Sequence, residues 1–102
     1  MKLLKYHFIE GLEDAQAMAD IFHKDGESTL EATYRGQAEA YRLCLKYYEV
    51  VEEDLSKFIE DMEIIKDFYK EMYFTGEDSM DYYKRYYAGL YMELYLILDE
   101  IK

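Results

Sequence analysis

From Leu30 to Met72 the chain repeats an alternating four-three spacing without interruption: Leu30, Tyr34, Gln37, Tyr41, Cys44, Tyr48, Val51, Leu55, Phe58, Met62, Ile65, Tyr69 and Met72. None of these positions carries a formal charge, and Gln37 is the one plain polar side chain among them. A strand would alternate every second residue, whereas a helix that presses one seam against a partner repeats every three and a half. The spacing therefore asks for helix throughout. A seam of this kind cannot be buried by its own helix, so it also asks for something to pack on.

The seam crosses Asp54, Leu55 and Ser56 without a slip of register, and no Gly, Pro or Asn marks a turn there. The favoured reading is one long helix over about residues 28–74. It follows a helix over about 3–24 that ends at Asp25-Gly26, and precedes a last helix over about 79–101 beyond a break at Thr75-Gly76. That is an all-α, single-domain chain: a long-helix antiparallel hairpin with an N-terminal helix, a three-helix bundle. The alternative is a four-helix bundle, if the long helix breaks near Asp54 to Ser56. Ser28-Thr29-Leu30-Glu31 reads as a capping box that starts the long helix, and Gly11 is a weak point in the first. The spacings of Ala15 with Ala19, and of Ala32 with Gly36 and Ala40, clear room for a close helix crossing, which suggests that the first helix crosses the start of the long one.

A length of 102 residues with half of them hydrophobic suits one domain, and the absence of proline disfavours a turn-rich sheet. No secretory leader or membrane-spanning run is recognisable, and the single cysteine, Cys44, leaves no intrachain disulfide, so a cytoplasmic location is expected. The net charge of −11 disfavours direct binding to nucleic acid or anionic lipid and favours a basic partner.

The seam holds no carboxylate or imidazole, so the Glu and Glu-x-x-His sets of di-metal bundles are missing, and no phosphate loop or dinucleotide fingerprint occurs. Cys44 on the seam reads as a small hydrophobe, and His7 and His23 as ordinary surface or half-buried side chains. The expectation is a non-enzymatic protein without catalytic residues, metal or cofactor. The acids are concentrated between Glu49 and Glu63, and on a continuous helix Glu49, Glu52, Glu53, Glu60, Glu63 and Asp67 would form an acidic face; its row would be about 27 Å long at the helical rise. Such a row carries charge at roughly the interval of nucleic-acid phosphates and could occupy a channel built for them. Tyr82, Tyr86, Tyr91 and Tyr95 form a candidate aromatic contact patch, since tyrosine gives large rigid contact area with a polar tip. The last helix is apolar on all sides around Leu90, Leu94, Leu98 and Ile101, which points to an oligomer interface there, as in a dimer.

In being short, acidic, tyrosine-rich and all-helical, the chain resembles small phage-encoded inhibitors, including some anti-CRISPR proteins; the resemblance covers composition and architecture and assigns no residue a role. It implies an inhibitor that blocks the basic surface of a nucleic-acid-handling partner by DNA mimicry. The competing expectation is a structural or adaptor homo-oligomer whose acids serve solubility.

Overall fold

The computed structural model describes the backbone of residues 2–75 and 81–102, and side chains over 4–74 and 82–102. Four helices account for nearly all of it: α1 (Lys2–Lys24), α2 (Ser28–Val50), α3 (Leu55–Thr75) and α4 (Asp81–Ile101). The chain is all-α, and the four-helix reading replaces the single long helix. Gly76, Ser79 and Met80, expected at the last break and helix start, lie outside the described residues.

The long helix breaks because of a helix-end motif made without glycine. At the end of α1 the Glu27 amide donates to the Phe22 carbonyl and the Gly26 amide to that of His23, with Gly26 at φ +74°. This is the Schellman arrangement, in which one left-handed residue lets two late amides satisfy carbonyls left over by the helix. The end of α2 repeats it: Glu53 N–H donates to Tyr48 and Glu52 N–H to Glu49, with Glu52 and Glu53 at φ 54° and 62°. Asp54 then starts α3, its carboxylate accepting from the Lys57 amide at 3.2 Å. Two left-handed glutamates and an aspartate cap thus turn the chain back where composition offered no turn residue.

The capping box at Ser28 is not formed. Residue Glu27 occupies the N-cap without a side-chain hydrogen bond, and the Glu31 carboxylate instead meets His23 at 3.1 Å and Arg35 at 3.2 Å. Arg35 also reaches Asp20 on α1 at 3.2 Å, so Glu31 helps fasten α1 to α2. These partners, His23 first, hold the Glu31 carboxyl below the usual carboxylate range.

The helices run up, down, up, down. α1 lies antiparallel on α2, with Gly11 against the Tyr41 ring and Phe22 stacked on Tyr34. The α1 helix passes unbroken through Gly11. α3 lies antiparallel on α4, where Lys66 meets Tyr95 and Tyr73 stacks on Tyr91. Between the two hairpins α2 and α4 run parallel and nearly touch. A Cβ added at Gly36 would come within 2.0 Å of the Tyr86 carbonyl oxygen, and one at Gly89 within 2.1 Å of that of Thr33. Each glycine faces the carbonyl three residues before the other, which gives the crossing a local two-fold symmetry. The small-residue groove of α2 around Gly36 therefore receives α4, not α1; Ala15 and Ala19 are buried on α1.

The core runs along this central pair. At one end Phe8, Tyr48 and Phe58 bring three helices together, their ring centroids 5.2–6.1 Å apart in pairs. Leu90, Leu94 and Leu98 are 0–2% exposed in the same core, and Ile101 packs against it. Those leucines cover the intramolecular seam and are not free to form an oligomer interface. On the seam itself Cys44, Tyr48, Phe58 and Met62 are buried, whereas Leu30 and Met72 at its ends are exposed.

Candidate protein-binding site

The turn between α2 and α3 decides where the acids go. Because the chain reverses there and α3 packs along α4, the six acidic residues do not form one row. Glu49 ends α2, Glu52 and Glu53 occupy the turn, and Glu60, Glu63 and Asp67 lie along α3. Glu63 is clasped by Lys102 and by Lys66, the latter at 2.7 Å, which hold its carboxyl below the usual range and neutralise it. Glu60 and Asp67 are exposed.

Glu49, Glu52 and Glu53 border one hollow. None of the three forms an ion pair among the described residues, and α2 has no basic residue in its last turn. The C-terminal end of a helix carries negative partial charge, so acids placed there reinforce a field that cations would normally offset. With Lys5, Leu45 and Tyr48 they line a pocket of about 300 Å³. A second hollow of about 360 Å³, lined by Lys5, Tyr6, Ile9 and Glu53, shares two of those residues and extends the pocket toward α1. The result is a groove between the start of α1 and the 51–54 turn, acidic on one side and apolar on the other.

Tyr48 lies at the base of the acidic side. Its ring is fixed edge-on against Phe8 and Phe58, it is 1% exposed, and its hydroxyl has no hydrogen-bond partner among the described residues. Burial first, and the Glu53 carboxylate second, hold the phenol above its ordinary pKa, so it keeps its proton. Lys5, Tyr6, Ile9, Leu45 and Tyr48 did not stand out in the sequence as site residues. The α1 residues reach the turn only through antiparallel packing on α2, and Tyr48 carries nothing but a seam signal.

The tyrosines expected as one aromatic patch are dispersed. Tyr82 and Tyr95 are exposed but separated by about two-thirds of the length of α4, about 20 Å at the helical rise. Tyr86 is half-buried and donates to Glu39 at 3.4 Å; burial first and that carboxylate second push its pKa up to about 12. Tyr91 stacks on Tyr73, and Lys66 lies 5.8 Å above the Tyr95 ring. Tyr83 is exposed as well.

Other chemistry is tied up in structure. His7 and His23 face Glu100 and Glu31, and burial pushes the Cys44 thiol well above its usual pKa. Among the described residues no three His, Cys, Asp or Glu side chains gather as a metal site would need, and no helix is long and apolar enough to cross a membrane. Comparison of the chain with protein-family models, curated proteins and solved structures found no match.

Proposed function

We propose that the chain is a non-enzymatic, acidic protein-binding module that engages a basic surface on a partner, acting as a small inhibitor of the phage, anti-CRISPR-like type that occupies a nucleic-acid-binding face. The observation that carries this reading is that Glu49, Glu52 and Glu53, without ion-pair partners among the described residues, border one hollow at the carbonyl end of α2. Fixed charges on a rigid turn steer a basic partner and contribute to its specificity. Mimicry here rests on charge density rather than on a phosphate-like interval along one helix, since the row is folded back on itself.

The test is capture of a partner from extracts of the source cells on immobilised protein, followed by elution with salt or with duplex DNA. The captured protein should bind nucleic acid, should leave with rising salt, and should be displaced by DNA; the triple change Glu49→Lys, Glu52→Lys and Glu53→Lys should abolish capture. Equal capture by the reversed-charge variant would reject the reading.

A homo-oligomeric adaptor is the second reading, and the exposed apolar side chains favour it: Ile64, Phe68 and Phe74 on α3, with Met92 and Leu96 on α4, are each more than half exposed. Light scattering at tens of micromolar separates the two. A monomer unaffected by Phe68→Lys supports the binding module, whereas an assembly that Phe68→Lys dissociates supports the adaptor.

A further inference from the structure

Resting on the binding-module reading, we propose that the groove between α1 and the 51–54 turn receives an arginine side chain of a basic partner segment, with an apolar neighbour of that arginine seated on Tyr6 and Ile9. Three independent features converge on this occupant. The pocket is lined by three carboxylates that lack ion-pair partners among the described residues. Its base holds a phenol that is 1% exposed, has no hydrogen-bond partner among the described residues, and sits within the field of Glu53. The adjoining hollow offers Tyr6 and Ile9 as an apolar shelf.

A buried hydroxyl without a partner costs free energy in the free chain, and a donor entering the groove would give it an acceptor role. A metal ion does not suit the site, because the carboxylates are not gathered into a ligand set. An ammonium is a compact, strongly hydrated point charge. A guanidinium is planar, less hydrated and carries five donors, so it can bridge carboxylates on the rim while one N–H reaches the phenol oxygen. Lys5 faces both hollows from α1 and is the local cation that opposes the incoming one.

The experiment is an amide NMR titration of the whole chain at low salt with acetyl-Leu-Arg-Leu-amide, and with its citrulline counterpart, which keeps the shape and loses the charge. The arginine peptide should give saturable shifts at Lys5, Ile9, Tyr48, Glu49, Glu52 and Glu53, and the citrulline peptide none. Tyr48→Phe removes only the unpartnered oxygen and should keep the helical spectrum, yet weaken binding by about tenfold, the size of one lost hydrogen bond to a charged group. Lys5→Gln should tighten binding severalfold. Wild-type affinity in Tyr48→Phe, or shifts that spread over Glu60 and Asp67 rather than the groove, would overturn the pocket while leaving the acidic module standing. No response to the arginine peptide would overturn both.

Discussion

A methyl group added at Gly36 or Gly89 meets backbone, not a side chain that could swing away. Gly36→Ala and Gly89→Ala should therefore each cost about 3 kcal/mol or more, the upper range for overpacking, because relief requires the two central helices to separate. Gly26→Ala differs in kind. Space there is open and only the φ of +74° opposes a side chain, so its cost should be about 1 kcal/mol. Urea unfolding of the three variants checks the order, and equal effects at Gly26 and Gly36 would contradict a close crossing. The stripe containing Gly36 was legible in the sequence as a place for a helix to pass, but not which helix would pass, since α1 and α4 both offer small residues. Tyr48 shows the same limit: its spacing places it in the core, while the lack of a hydrogen-bond partner for its hydroxyl among the described residues is a three-dimensional fact.

The element that sequence periodicity misread is the α2–α3 junction. Seam spacing continues across it because both helices turn the same face to the core, so the register records burial and says nothing about direction. Helix α1 ends legibly at Asp25-Gly26, whereas α2 closes with the same hydrogen bonds around Glu52, a residue with no left-handed preference. Asp54 was the available clue, as a good N-cap three residues before the amide it accepts from. Left-handed backbone costs a residue with a Cβ roughly 1–2 kcal/mol, of which the freer unfolded chain of glycine returns part. Glu52→Gly should thus stabilise the protein by about 1 kcal/mol in urea unfolding while weakening capture of a basic partner. Stability and binding would then oppose each other at one residue, as expected where a strained turn holds interacting groups. Loss of stability in this variant would contradict the account of the turn.

Across the whole molecule, acids contribute to pH dependence with both signs. Glu63, clasped by Lys102 and Lys66, has its folded pKa lowered, so its stabilisation is present above the usual carboxylate range and is lost as pH falls through the folded value. Glu93 has its pKa raised, chiefly by burial and against the hydrogen bond from Tyr41, so it destabilises at neutral pH and that penalty fades on acidification. Glu63→Gln should lower stability at pH 7 by about 1 kcal/mol or less and matter little near pH 3, whereas Glu93→Gln should raise the melting temperature at pH 7 with a gain that shrinks as pH falls. A Glu93→Gln protein less stable than wild type at pH 7 would reverse this assignment. The all-α class was readable from the spacing and composition; the groove was not, because it joins residues near the amino terminus to a turn half the chain away. The Gly36–Gly89 crossing has a further consequence. Two helical hairpins of similar length meet there as the halves of a symmetric dimer would, but one backbone carries both. Their association is intramolecular, governed by an effective concentration that the connecting turn sets and that dilution cannot lower. The partner that the seam demands is therefore present at one copy per cell as surely as at millimolar concentration.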